Sequence, residues 1–235
     1  MQGQLYLIPS PLGEGAIDHV LPQDVCRLIS TIRHFVVENE RTVRRFLKQV
    51  NRDIDINALH FTILDKDTSL SQLPAMLAPI AQGHHVGIVS EAGCPGIADP
   101  GATLVALAHE RNIRVMPLVG PSSILLALMA SGMNGQSFAF NGYLPVKKNE
   151  KTEAIKRFEL RSMKENQSQV FIEAPYRNLQ LLDDMLAICK PATRLCIACD
   201  ITLTTELIAT RTIAQWQKSP KPDLHKRPAI FIIQG

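Results

Sequence analysis

Through the first half of the chain, short apolar runs alternate with longer stretches of helical spacing. Leu5-Tyr6-Leu7-Ile8, Phe35-Val36-Val37, His60 to Leu64, Val86-Gly87-Ile88-Val89 and Arg114 to Leu118 read as strands. They are short, rich in β-branched or aromatic residues, and end at proline, glycine or charged residues. Between them, Pro22 to Thr31, the basic stretch after Arg41, Leu70 to Ala81 and the stretch up to Arg111 place apolar residues on one helical face. Five strands alternating with helices predict a parallel α/β sheet. Val86 to Val89 is apolar throughout, the composition of a strand buried on both faces.

Beyond Ile124 to Ala130, a further helix, the order changes. Phe138-Ala139-Phe140 is followed by a basic helix from Lys151 to Lys164, a strand Gln169 to Glu173, a helix Asn178 to Ile188, and a strand Leu195 to Cys199. A short strand near Leu207 and a strand Ala229 to Ile233 complete a second α/β unit. The expected division is 1–119 and 120–235, with Lys218 to Pro228 an exposed, proline-rich loop. Neither a repeat nor a low-complexity linker marks the boundary.

The loops at the strand ends hold the candidate chemistry, because parallel α/β sheets bind ligands at their carboxyl edge. Ser90-Glu91-Ala92-Gly93-Cys94-Pro95-Gly96-Ile97-Ala98-Asp99-Pro100-Gly101 can extend neither helix nor ladder. Asp99 reads as a helix cap with Pro100 in the first turn. Val119-Gly120-Pro121-Ser122-Ser123 closes the fifth strand, and its two hydroxyls stand at a helix start, either as caps or as an anion site. Glu38-Asn39-Glu40-Arg41 closes the second strand. No Gly-x-Gly-x-x-Gly and no Walker motif is present, which argues against dinucleotide or Walker-type nucleotide sites.

Composition narrows the class. The 235 residues are 46% hydrophobic and 20% charged, and no run approaches the roughly 18 apolar residues of a membrane span. No secretory leader is visible, and five scattered cysteines fit a reducing cytoplasm. Cys196 and Cys199 stand three apart on a strand, facing opposite ways, and no second pair completes a metal site. The expectation is therefore packing cysteines, no metal and no membrane insertion. The net charge of +3 is modest. Basic residues nevertheless cluster in Arg41, Arg44, Arg45, Lys48 and Arg52, in Lys147 to Lys164 (including Lys151), and in Lys218 to Arg227. Each group can meet phosphates or form a solvated face, the latter supported by interspersed acids such as Glu150 and Glu159.

Several stretches together resemble a known family. Leu5-Tyr6-Leu7-Ile8-Pro9-Ser10-Pro11-Leu12-Gly13, Glu38-Asn39-Glu40-Arg41, the loop 90–101, Gly120-Pro121-Ser122-Ser123, Gly142-Tyr143-Leu144-Pro145 and Glu173-Ala174-Pro175-Tyr176-Arg177 follow in order along nearly the whole chain. They are similar to signatures of the tetrapyrrole methylase superfamily of S-adenosylmethionine-dependent methyltransferases, and within it of the ribosomal small subunit methyltransferase I group. The resemblance implies two α/β domains with the cofactor cleft between them, a homodimer, and 2′-O-methylation of a cytidine ribose in 16S rRNA. It implies donor contacts at Leu12, Cys94, Ile97, Ser122, Ser123, Glu173 or Ala174, Cys199, and Pro228 or Ala229.

If the acceptor is a hydroxyl, a base must take its proton, and Glu38, Glu40 or Glu91 can serve or can be surface or ion-paired carboxylates. Arg41 and Arg177 can bind phosphate or orient a glutamate, or form ion pairs. The group usually has Asp-Thr at Asn39-Glu40, Asp at Glu91, Thr at Cys94, Glu-Leu-Thr-Lys at Asp200-Ile201-Thr202-Leu203, and Lys-Gly-Glu at Lys226-Arg227-Pro228. Many members carry a small C-terminal extension beyond this point. These departures surround the acceptor side, so methylation of a tetrapyrrole or other small molecule, and a non-catalytic S-adenosylmethionine-binding module, stand as alternatives.

Overall fold

The wholly buried run Val86–Val89 (β4) is the central strand of the first sheet. A computed structural model describes residues 3–15 and 17–235, in two compact units, Met1–Ser122 and Ser123–Gly235. Around β4 the first unit sets β1 (Leu5–Ile8), β2 (His34–Val37), β3 (His60–Ile63) and β5 (Val115–Pro117), in the order β3-β2-β4-β1-β5. Every pairing is parallel, with Leu5 and His34 both opposite Val86.

Alternation along the strands divides the core into two faces. Tyr6, Ile8, Phe35, Val37 and Val89 pack with Ile29 of α1 (Gln23–Ile29) and with Val43 and Leu47 of α2 (Glu40–Val50). Leu5, Val36, Val86 and Ile88 pack with Leu77 and Ile80 of α3 (Leu73–Ala81) and with Leu104 and Ala108 of α4 (Gly101–Glu110). Helices therefore cover both faces, and each fully buried aliphatic side chain contributes about 1.5–3 kcal/mol. The consequence for function is directional. All five strands deliver their following loops to one edge.

The second unit holds a mixed sheet, ordered β6-β7-β10-β8-β9: β6 (Phe138–Tyr143), β7 (Ser168–Ile172), β8 (Arg194–Cys199), β9 (Leu207–Thr212) and β10 (Ala229–Gln234). β6 and β7 are parallel, and the remaining neighbours antiparallel. α5 (Ser123–Ser131) lies against β8, β9 and β10. α6 (Lys148–Glu165), α7 (Asn178–Ile188) and α8 (Ile213–Gln217) share a core with Phe171, Leu195, Ile197, Phe231 and Ile233. Cys199 faces this core and Cys196 lies outside it, so the pair does point to opposite faces of β8.

One element is added and two expectations change. The segment 213–217 is a helix, capped by Thr212 and Gln215 in a reciprocal box and anchored by Trp216, whose indole N–H donates to the Leu195 carbonyl at 2.8 Å. The run near Leu207 is a full six-residue strand. Within the loop 218–228, Leu224 is completely buried, so proline there shapes a docked connection and not only an exposed one. Among the described residues no helix is long and apolar enough to cross a membrane.

Candidate functional site

At the carboxyl edge of the first sheet, the loops after β1 and β4 are sewn together. Ser10 and Gly93 exchange backbone hydrogen bonds of 3.0 and 3.1 Å. The buried Ser10 hydroxyl donates to the Ser90 carbonyl at 2.9 Å, and the buried Ser90 hydroxyl donates to the Gly93 carbonyl at 2.7 Å. Gly93 adopts φ +77°, a left-handed conformation that glycine enters without steric cost. The position where a Cβ would sit is 3.3 Å from the Leu12 side chain and 3.5 Å from the Pro121 carbonyl. Cys94 donates its thiol proton to that same carbonyl at 3.4 Å. Leu12, Cys94 and the 120–122 turn thus gather around Gly93.

Burial pushes the Cys94 thiol above its ordinary pKa, which keeps it a protonated, weakly polar contact and a poor nucleophile. Ile97 lies farther out along the loop, 53% exposed. Ser122 ends the first unit half-buried, and Ser123 opens α5 in the second. Asp99 caps α4 differently from the expectation. Pro100 takes the cap position, and Asp99 Oδ1 accepts from both Gly96 N and Gly101 N at 2.8 Å. One aspartate oxygen thereby closes the loop and starts the helix.

The carboxylates separate by environment. Glu38 and Asp99 line one recess of about 10 Å³, with room for about one water, together with Val37, Leu64 and Ile88. Asp99 Oδ2 is buried without a hydrogen-bond partner among the described residues. Burial, and then the negative charges of Asp99, Glu91 and Asp65, raise the Glu38 pKa. Burial likewise raises that of Asp99. Glu40 instead holds Arg44 at 2.5 Å one turn along α2, and Glu91 is exposed. Arg41 is exposed in the first turn of α2, with no ion pair among the described residues. Of the four candidates, Glu38 is the one that lines the recess with Asp99. Asn39 caps α2, its side-chain oxygen accepting from Arg41 N and Thr42 N.

In the second unit, β7 and β8 end where β10 begins. Ala229 lies opposite Cys199, and Ile230 opposite Ile172, so Glu173, Ala174, Cys199, Pro228 and Ala229 share one sheet edge. Glu173 is almost fully buried. Its Oε1 accepts from Ala174 N (2.7 Å), Arg177 Nε (3.0 Å) and Arg177 Nη2 (2.6 Å). Arg177, offered either for phosphate or for a glutamate, is committed to the glutamate. Burial and then Asp200 lift the Cys199 thiol to about 11, so this cysteine too stays protonated.

Neighbouring residues that the sequence offered only as departures from the family pattern, or without a role, complete this edge. The Asp200 carboxylate receives Arg227 Nε and the Thr205 hydroxyl, each at 2.7 Å. Asn178 is wholly buried and donates to the Arg227 carbonyl at 2.6 Å, leaving its Oδ1 without a partner among the described residues. In the first unit, Ser10 and Ser90 stood in the quoted motifs without a role, and Asp99 only as a helix cap. Their signal was present as hydroxyls and an aspartate beside glycines in strand-end loops.

Two charged residues leave the groups to which spacing assigned them. Lys151 is buried, its ammonium 3.1 Å from Asp184. Glu159 is also buried, and accepts from the Thr193 hydroxyl and Lys190 N. Neither lies on a solvated face, because α7 and the following turn cover that side of α6. Among the described residues no group of three or more His, Cys, Asp or Glu side chains is arranged to hold a metal ion.

Residues 18–217 match the family described as Tetrapyrrole (Corrin/Porphyrin) Methylases. A protein of Escherichia coli O157:H7 named ribosomal RNA small subunit methyltransferase I is 30% identical over 236 residues, covering 100% of this chain and 78% of that protein. A protein of the same name from Vibrio cholerae is 29% identical over 212 residues, covering 90% of this chain and 69% of that protein. The crystal structure of the methyltransferase CobJ superposes with a TM-score of 0.64 at 17% identity, covering 99% of this chain and 94% of that one, a likeness of fold.

Proposed function

The chain belongs to the tetrapyrrole methylase family and is a methyltransferase, and from that premise we propose that it transfers a methyl group from S-adenosylmethionine to ribosomal RNA. The specific reaction in this reading is 2′-O-methylation of a cytidine ribose in 16S rRNA, carried out in the cytoplasm by a homodimer. The naming of its relatives as ribosomal RNA small subunit methyltransferases supports the acceptor. The observation that carries the site is the gathering of Leu12, Cys94 and the Pro121 carbonyl around Gly93.

These residues fit a sulfonium donor. They offer an apolar side chain, an un-ionised thiol and a glycine without a side chain of its own, with no fixed cation to repel positive charge. Leu12, Cys94, Ile97 and Ser122 of the first unit, with Ser123, Glu173, Ala174, Cys199, Pro228 and Ala229 of the second, are the donor-holding residues in this proposal. When bound, the donor supplies an electrophilic methyl carbon with its own leaving group, so the protein's contribution is placement. Glu38 takes the acceptor hydroxyl proton. Its raised pKa brings it toward the working pH of a base, and the carboxylates around it favour proton uptake.

The test compares small-subunit rRNA from cells with and without the protein, mapping ribose methylation by resistance to alkaline cleavage. The reading expects one methyl group missing, restored by purified protein and S-adenosylmethionine. An unchanged map overturns the acceptor. Calorimetry with S-adenosylmethionine tests the donor separately: saturable binding, weakened by Cys94→Trp, is expected, and no binding to the intact protein overturns it.

A further inference from the structure

We propose that the outer face of α2 is a docking surface for the sugar–phosphate backbone of a single RNA strand, leading from the Glu38 edge of the sheet to a groove beside the helix's far end. This rests on the RNA reading above. Arg41, Arg45 and Lys48 recur at intervals of four and three along α2 and so fall on one helical face, and Arg52, beyond the extended Asn51 cap, is brought beside them by the hydrogen bond from Lys48 to its carbonyl. Val43, Phe46 and Leu47 occupy the opposite, buried face. All four cations are exposed.

What sets this face apart is the absence of internal partners. At α6, Lys147 of the cap, Lys156 and Arg161 each hold a glutamate three or four residues away, and Lys151 is buried against Asp184. Four cations there are matched by carboxylates of the same unit. On α2 only Arg44 is so committed, bridging to Glu40 and lying over the Phe61 ring. Arg41, Arg45, Lys48 and Arg52 have no ion pair among the described residues. Lys48 donates one hydrogen bond to the Arg52 carbonyl, leaving two ammonium donors for another acceptor. Unpaired cations in a row cost electrostatic self-repulsion, which a phosphate backbone relieves.

The path has two defined ends. At its start, Arg41 follows three residues after Glu38, the proposed base. The eleven residues of α2 span about 16 Å at 1.5 Å per residue, and near its far end Lys48 and Arg52 form one side of a groove of about 750 Å³. Leu21 and Val50 supply apolar wall, and Gln23 and Gln49 supply amide donors and acceptors, with Asp18 and Cys26 at the same groove. A space of that size, with apolar walls and a few hydrogen-bonding groups, has room for a nucleobase together with its ribose.

The test uses the full-length protein and a short fluorescein-labelled oligocytidylate, with binding followed by anisotropy at several salt concentrations. The triple variant Arg45→Gln, Lys48→Gln, Arg52→Gln should bind about tenfold or more weakly at low salt, with the slope of log affinity against log salt reduced by about 2, at about 0.7 per phosphate contact. Gln49→Trp, which fills the groove without changing charge, should weaken binding while leaving the slope unchanged. S-adenosylmethionine binding and the thermal midpoint of both variants should match the intact protein.

As a comparison, Lys156→Gln, Arg157→Gln, Lys164→Gln on α6 should leave the slope as it was. Wild-type affinity and slope in the α2 triple variant would overturn this assignment while leaving RNA as substrate intact. An intact protein that takes S-adenosylmethionine but binds no oligonucleotide would overturn the RNA reading itself.

Discussion

Replacing Arg177 with alanine would strand the Glu173 carboxylate, which is 2% exposed. Three hydrogen bonds converge on Glu173 Oε1, and two of them come from Arg177. Removing one member of a fully buried ion pair costs about 3–5 kcal/mol. Arg177 is 29% exposed, so water reaches the vacated side, and the Ala174 N–H remains; the expected loss is therefore about 2–3 kcal/mol at pH 7. Trp216 is the single tryptophan and sits in the second unit's core, so its fluorescence in a urea titration reports that unit. Adding Glu173→Gln should recover much of the loss. A single variant within about 0.5 kcal/mol of wild type, where surface substitutions fall, or a double variant no better than the single one, would refute the reasoning.

Glu38→Gln should lower methyl transfer by about a hundredfold or more while calorimetric affinity for S-adenosylmethionine stays the same; a loss confined to donor affinity would remove Glu38 from proton transfer. Gly120→Ala would place a methyl group 2.2 and 2.5 Å from the Pro9 ring and 2.9 Å from Leu21, and should cost about 1–3 kcal/mol in thermal unfolding followed by circular dichroism. Retention of the wild-type midpoint would mean that the Pro9 and Gly120 turns yield freely. At the opposite edge of the same sheet, the His34 ring stacks on His60 at 4.7 Å and tilts against His84 at 5.2 Å. Burial, then the charges of His60 and His84, lower its pKa. Below the ordinary histidine value of about 6.5 the unfolded chain binds a proton that the folded one resists, so stability should decline as pH drops through that value. His34→Gln should flatten this decline in urea titrations, and an unaltered pH profile would count against it.

The fold was legible wherever hydrophobic pattern alone determines an element. Val86 to Val89 has no polar position and became the central strand, while Asn178 to Ile188 was readable to the residue because its apolar spacing runs unbroken. Legibility failed where a short element depends on one long-range contact. The five residues of α8 are too few to show a period, and Trp216 holds them through a carbonyl on β8. Charge counting failed for a related reason: nothing near Lys151 in sequence reveals that Asp184 will be its partner. At the candidate site, motif order located the loops, but which carboxylate shares a buried recess was invisible until the ends of β2 and β4 were brought together.

Several positions where the chain departs from the family pattern have a structural account in each other. Asn39 stands where an aspartate is usual, yet the cap of α2 needs only one side-chain oxygen for two N–H groups, and asparagine supplies it as well as aspartate. Asp200 and Arg227 replace a glutamate and a glycine, and they are bound to one another at 2.7 Å. Arg227 also donates to the Asp223 and Thr205 carbonyls, both at 2.6 Å, tying the 218–228 loop to the turn after β8. Two side chains joined this directly are a pair whose substitutions are expected to be strongly non-additive. Arg227 thereby fixes a cation at this edge, a guanidinium anchored at three points.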